Sequence, residues 1–235
     1  MPPTGGFGLN TGVQDVHNLA WKIAAVLRGN ADASLLDSYH DERQPLGQII
    51  TRNSLANALS MGRTARQSNV LPRREFLNEQ GLIFGACYQS MAVLPDGTAP
   101  AAVDDPVTEY VASARPGSRA PHVWLRRGSE QISTIDLFGA RFVVLAGSRG
   151  DAWRRAAQGI DMSWPPLVAH TVGEDGDLGD PDGNWHEAYG VDADGAVLVR
   201  PDGHVAWRRR SAASDPAEVL RAALDRVFGW MLATA

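Results

Sequence analysis

Gly6, Gly8 and Gly12, with Pro2 and Pro3 ahead of them and Leu9 and Asn10 among them, are the residues whose types and spacing suit chemistry most directly. Glycine admits positive φ and a close backbone approach, and proline fixes a turn. Placed just before helical periodicity, such a turn presents free backbone N–H groups at a helix start, where an electron-rich ligand group is stabilised. The intervals do not fit the dinucleotide fingerprint G-x-G-x-x-G. Three residues separate Gly8 from Gly12, and five residues before Gly6 leave no room for a strand. A plain turn capped by Asn10 or Thr11 accounts for the glycines equally well, and the pattern alone leaves both readings open.

The remaining polar residues form weaker constellations. His17 reads as a surface or packing residue of the helix that follows, and His122, between Pro121 and Val123, as the anchor of a strand start. His186 and Glu187 stand side by side in a loop, and no spaced His/Asp/Glu set offers three ligands from one element, so no metal site is expected. Asp175, Asp177, Asp180 and Asp182 lack the closing glutamate of a calcium loop. Cys87 is the single cysteine, which excludes an internal disulfide and a Cys-x-x-Cys pair; without a placed base it reads as a small core residue. No catalytic residue is assigned.

The elements that would position the glycine turn follow from hydrophobic spacing. Val13, Val16, Ala20, Ile23 and Leu27 mark one face of a helix over residues 9–28, which Gly29 stops. A second helix over about 34–59 has Leu35, Leu36, Tyr39, Leu46, Ile49, Ile50, Leu55 and Leu59 as its buried candidates and is kinked or interrupted at Pro45. Residues 82–88 read as a short strand, and 94–117, with four prolines, as a linker ending at a domain boundary near Gly117. Beyond it the spacing predicts a buried strand over 142–146, a helix over 151–158, a strand over 167–172 and a helical turn over 185–189. Strands over 196–200 and 204–208 follow, joined through Pro201-Asp202-Gly203, and then a helix capped by Ser214, with Val219, Leu220, Ala223, Val227 and Phe228 inward. This order is α/β with a mixed sheet.

Composition bounds the function. A net charge of −5 argues against a nucleic-acid partner, since the only basic cluster is Arg208 to Arg210. No run approaches the roughly 20 apolar residues of a membrane helix, and Pro and Gly stand where a signal peptide would be basic and apolar. With one unpaired cysteine, a cytoplasmic location without membrane contact is expected.

The stretch Pro2-Pro-Thr-Gly-Gly-Phe-Gly-Leu-Asn-Thr-Gly-Val-Gln-Asp-Val-His-Asn-Leu-Ala-Trp-Lys22 closely resembles the third FAD-binding motif of the flavoprotein aromatic hydroxylases, which include the p-hydroxybenzoate and phenol hydroxylases. The resemblance implies that Gly6, Gly8, Leu9 and Asn10 bind FAD, the last three with backbone N–H groups at the pyrimidine edge of its ring. It further implies that Pro2 and Pro3 border the substrate side. Asp15, Asn18, Trp21 and Lys22 are then framework residues of the flavin helix, and Glu42 or Arg43 forms a structural ion pair after it. A negative charge near a helix N-terminus is favourable, which agrees with an anionic reduced flavin at that place.

Ala114-Arg-Pro-Gly-Ser-Arg-Ala-Pro-His-Val-Trp124 and Val199-Arg-Pro-Asp-Gly-His-Val-Ala-Trp-Arg208 resemble the thioredoxin-like C-terminal domain of the same family's larger members, among them hydroxylases of aromatic polyketides. The segment that would carry the active cysteines, about residues 146–153, has none, so packing and subunit contact, including homodimer formation, are the roles implied. The implied fold is a helical remnant of an FAD-binding domain with one short strand, residues 1–93, then a linker, 94–117, then a thioredoxin-like α/β domain with a mixed sheet, 118–235. The implied activity is insertion of one oxygen atom of O2 into an aromatic or polyketide substrate through a flavin C4a-hydroperoxide, with NAD(P)H as reductant.

The resemblance starts inside the family's FAD domain, so the first expectation is a C-terminal part of a longer hydroxylase, inactive by itself and partnered by the N-terminal half of the flavin domain. A binding or oligomerisation module and a flavin-independent enzyme are the other two readings. The first predicts an exposed apolar face along the first two helices and exposure of some of the seven tryptophans.

Overall fold

The structure is a computed structural model and describes residues 5–60 and 79–230. Gly5 and Gly6, at φ 87° and 68°, make the turn into helix α1 (Phe7–Leu27), and Gly29, at φ 71°, follows its end. The apolar stripe of α1 is exposed, as expected of part of a larger flavin domain: Leu9, Val13, Val16 and Leu27 are 80%, 60%, 66% and 82% exposed, whereas Phe7, Asn18, Trp21, Lys22 and Ala25 are buried. Spacing identifies an apolar stripe but not what it faces. Here buried polar partners turn the stripe outward.

A 3-10 turn (Ala33–Leu36), capped by Asp32, leads into α2 (Asp37–Ser60), which runs through Pro45 as one helix. Of the expected core positions on this stretch Leu35 and Ile50 are buried and Ile49 is exposed, while Ser38, Glu42, Arg43, Ser54 and Asn57 lie inside. Residues 82–88 are not a strand. Gln80–Phe84 form a short helix, α3, and Cys87 makes a single bridge to Ser118. A Cβ on Gly81 would come within 2.3 Å of the Glu109 carbonyl and 2.4 Å of the Pro106 carbonyl, and the Leu82 N–H donates to the Val107 carbonyl, so this turn is pressed against the chain at 106–109. A short apolar run does not distinguish the two states by periodicity.

A hairpin that the spacing missed, β1 (Trp124–Arg127) with β2 (Glu130–Ser133), opens the second half. Then come β3 (Phe142–Gly147), α4 (Asp151–Gln158), β4 (Leu167–Val172), α5 (Trp185–Tyr189), β5 (Ala196–Val199), β6 (Val205–Arg209) and α6 (Pro216–Val227). The sheet order is β4-β3-β5-β6, with β4 parallel to β3 and the other pairs antiparallel, the mixed thioredoxin-like sheet that was expected. The cap of α6 is Asp215 rather than Ser214; its carboxylate accepts from the Ala217 and Glu218 amides.

β3 is buried at every residue because both sheet faces are covered. Phe142, Val144 and Ala146 meet a layer containing Trp153 of α4, Leu220 and Val227 of α6, and also Trp21, Ala25 and Leu35. Val143 and Leu145 meet Leu125, Ile132, Trp185 and Tyr189. The first layer therefore joins α1 to the sheet across the proline-rich segment. That segment is itself tied down: the Leu94 N–H donates to the Ala206 carbonyl, the Gly117 N–H to the Val205 carbonyl, and Arg208 binds Asp96 and Thr98.

Candidate functional site

The turn before α1 has the form a ligand cradle requires. Gly6 takes the N-cap position in a left-handed conformation, makes no side-chain cap, and has no atom within 4 Å of where a Cβ would stand. The side chain of Asn10 does not cap the helix either; its Nδ2 donates to the Gly6 carbonyl at 3.1 Å. No acidic residue lies in the first turn, so among the described residues the amides there, those of Gly8 and Leu9 included, keep their positive end free of a capping carboxylate. Gly6, Gly8, Leu9 and Asn10 are all exposed. Pro2 and Pro3 lie outside the described residues.

What fixes the helix is a buried charge cluster. Glu42 accepts from Lys22 Nζ at 2.8 Å, Asn18 Nδ2 at 2.6 Å, Ser90 Oγ at 2.6 Å, and Arg200 Nη1 and Nη2 at 2.6 and 2.8 Å. Arg200 also binds Asp202, whose Oδ2 accepts from Trp21 Nε1 at 3.3 Å. Two cations thus balance two anions in a region closed to water. Burial and the neighbouring Arg200 charge pull Lys22 down to about 8 despite Glu42, whereas at Glu42 the opposing Arg200 and Lys22 charges outweigh burial and hold the carboxyl below its ordinary range. Arg43 pairs with Asp15 at 2.7 Å and donates to the Tyr88 hydroxyl at 3.1 Å.

All four framework residues are engaged as expected, and both Glu42 and Arg43 form ion pairs. Sequence reasoning missed Arg200 and Asp202. A lone arginine ending an apolar strand at a Pro-Asp-Gly turn was the available signal. The hairpin turn brings them to α1, with the Arg200 N–H donating to the His204 carbonyl at 2.8 Å and Gly203 at φ 76°.

Beside the cluster lies a cavity of about 400 Å³ between α1, residues 83–88, residues 135–139 and the hairpin turn, with Asn18, Phe84, Tyr88, Arg119, Phe138 and His204 in its wall. His204 stacks on Tyr88 with ring centroids 4.1 Å apart, and burial pushes its imidazole down to about 4. Away from it, His122 Nδ1 meets Ser133 Oγ at 2.7 Å, and His186 Nδ1 meets the Val191 carbonyl. Cys87 receives Arg115 Nη1 at 2.8 Å. Among the described residues no group of three or more His, Cys, Asp or Glu could hold a metal, and no helix is long and apolar enough to cross a membrane.

Residues 113–230 match the family model described as aromatic-ring hydroxylase, C-terminal, and residues 1–54 match that of an FAD binding domain. The chain is 44% identical over 230 residues to tetracenomycin A2 monooxygenase-dioxygenase of Streptomyces glaucescens, covering 97% of this chain and 39% of that protein. It is 35% identical over 261 residues to phenol 2-monooxygenase of Pseudomonas sp. (strain EST1001), covering 93% and 42%. Among solved structures, a ternary complex of aklavinone-11 hydroxylase with FAD and aklavinone superposes with a TM-score of 0.83 at 41% identity, over 97% of this chain and 42% of that one. The chain thus spans about two fifths of the length of these relatives.

Proposed function

Because the chain belongs to the aromatic-ring hydroxylase family, whose C-terminal domain it contains, we propose that it acts as part of an FAD-dependent hydroxylase that uses NAD(P)H and O2 on an aromatic or polyketide substrate. The observation that carries this is the uncapped glycine turn at the start of α1, lying within the stretch that matches an FAD-binding domain. The cradle fits: Gly6 leaves open space at its α-carbon, and the first-turn amides face outward without a carboxylate to repel an electron-rich ring. When bound, FAD supplies the redox chemistry that carries one oxygen atom of O2 to the ring.

The chain's own residues bind and orient. Gly6 opens the turn, the Gly8, Leu9 and Asn10 backbone lies at the pyrimidine edge, and the α1 dipole favours negative charge there. Pro2 and Pro3 border the substrate side. Asn18, Trp21 and Lys22, locked to Glu42 and Asp202, hold the helix axis so that those amides keep one direction. Residues 1–93 make the flavin-facing part, 94–117 the connection and 118–235 the C-terminal domain, a division supported by the separate matches of the two family models. The outward stripe of α1 is covered by the rest of the FAD-binding domain, and the C-terminal domain serves packing and subunit contact in a cytoplasmic enzyme.

Grafting this chain in place of the corresponding C-terminal part of tetracenomycin A2 monooxygenase-dioxygenase tests the reading. The chimera is expected to purify with flavin absorbance and to oxidise NAD(P)H on addition of an aromatic substrate. Gly8→Val in it lowers FAD affinity at least tenfold. A chimera that folds by circular dichroism and elutes without flavin at any FAD concentration overturns the proposal.

A further inference from the structure

We propose that Arg43 positions the glycine turn before α1, and that the C-terminal domain holds Arg43 in place through Tyr88; the inference rests on the reading of that turn as the FAD cradle. The turn has no side-chain cap, and Leu9 and Val13 beside it are exposed, so its order depends on what grips the helix from the side. Arg43 of α2 supplies that grip. Its Nε donates to Asp15 Oδ1 at 2.7 Å, and its Nη2 to Gln14 Oε1 at 3.3 Å and to the Thr11 carbonyl at 3.4 Å. Thr11 is two residues past Leu9, about 3 Å along the axis. An ion pair with Asp15 would need only a charge. Contacts that also take in Gln14 and the Thr11 backbone need a planar fork held in one orientation, which a lysine ammonium does not offer.

Tyr88 sets that orientation. The remaining nitrogen of the fork, Nη1, donates to the Tyr88 hydroxyl at 3.1 Å, and both side chains are buried. The C-terminal domain carries Tyr88 by its backbone and by its ring. The Tyr88 N–H donates to the Gly117 carbonyl at 2.9 Å, and the Gly117 N–H donates to the Val205 carbonyl of β6 at 2.8 Å. A Cβ on Gly117 would come within 2.2 Å of the Tyr88 carbonyl, so the two backbones are in close contact. The ring stacks on His204 with centroids 4.1 Å apart and has the Arg200 guanidinium 5.5 Å from its centre. Direct contacts therefore run from the β5–β6 hairpin through Tyr88 and Arg43 to Thr11. Arg43 acts through α1, which makes it a positioning residue.

Amide hydrogen exchange of the 235-residue chain, read at residues 11–15 with α4 as the internal control, tests this without cofactor. Arg43→Lys keeps the charge and loses the fork; Tyr88→Phe keeps the ring and loses the hydroxyl. Each is expected to speed exchange at residues 11–15 by roughly fivefold or more while α4 is unchanged. In the chimera with tetracenomycin A2 monooxygenase-dioxygenase each raises the FAD dissociation constant by roughly fivefold or more. Native exchange at residues 11–15 in Arg43→Lys would leave only a charge role and overturns the proposal. An equal increase at α4, which is general loss of stability, overturns it too, as does unchanged FAD affinity in a chimera that binds flavin. Should Arg43→Lys fail to fold by circular dichroism, Tyr88→Phe decides. A flavin-free chimera removes the hydroxylase reading alone, and exchange at residues 11–15 then decides whether Arg43 holds the turn.

Discussion

Glu42 accepts from Asn18, Lys22, Ser90 and Arg200 with no exposed side-chain surface. Replacing it by glutamine keeps the shape and removes one of two anions that balance two cations. Breaking a buried pair from one side costs about 3–5 kcal/mol. Glu42→Gln is expected to lower the unfolding free energy by that amount in urea titration, and a loss under about 1 kcal/mol would contradict the balance of charges. His204 gives a pH signature. Its imidazole falls from an ordinary 6.5 to about 4 through burial, with Arg200 lowering it further and Asp202 opposing, so between those values the unfolded chain takes a proton that the fold refuses. Stability therefore declines as pH drops from 6.5 toward 4. His204→Gln flattens that slope, measured as urea midpoints at pH 7 and 5. Below the ordinary 4.5 of a glutamate, Glu42, held low by its cations, adds a further loss in both proteins. Asn18, Trp21 and Lys22 were readable because the motif that contains them is contiguous. Arg200 was not, since no local pattern reports an ion pair 158 residues away.

At the scale of elements, α1 shows what periodicity conveys and what it omits. Leu9, Val13, Val16, Ala20, Ile23 and Leu27 alternate four- and three-residue steps, so helix and stripe were both legible. Spacing by itself does not give the direction of the stripe, which depends on charges from other elements; its exposure was expected from the resemblance to part of a larger flavin domain. Val13→Lys with Val16→Glu is expected to change stability by no more than about 0.5 kcal/mol and to reduce concentration-dependent light scattering of the chain; a large destabilisation would mean the stripe is packed in solution. α4 and β4 came out at their predicted bounds because Gly and Pro flank them and their apolar content is unambiguous. β1 and β2 were missed, since Trp-Leu-Arg-Arg and Glu-Gln-Ile-Ser bury few residues and are recognisable only once paired. The α6 cap allows a simpler check: Asp215→Ala, freeing the Ala217 and Glu218 amides, should cost about 1 kcal/mol.

For the whole molecule, one apolar layer contains Trp21, Ala25 and Leu35 together with Phe142, Leu198 and Phe228, and the charge cluster crosses the same seam. Such sharing predicts one cooperative unfolding transition, coincident by tryptophan fluorescence and far-ultraviolet circular dichroism. Two separated transitions would show that the parts melt independently. A segment of residues 118–235 expressed alone leaves Arg200 without Glu42 and the sheet without Trp21, so its melting temperature should fall well below that of the chain.

The turn at residues 201–203 grips α1 at Asn18 and Trp21, ten and more residues beyond Gly6 and Gly8. At the helical rise that is a rigid arm of about 15 Å. With FAD at the glycine turn as proposed, the C-terminal domain has hold of the far end of the lever that carries the turn. Changes in the packing of that domain would then reach the turn as a tilt of the arm.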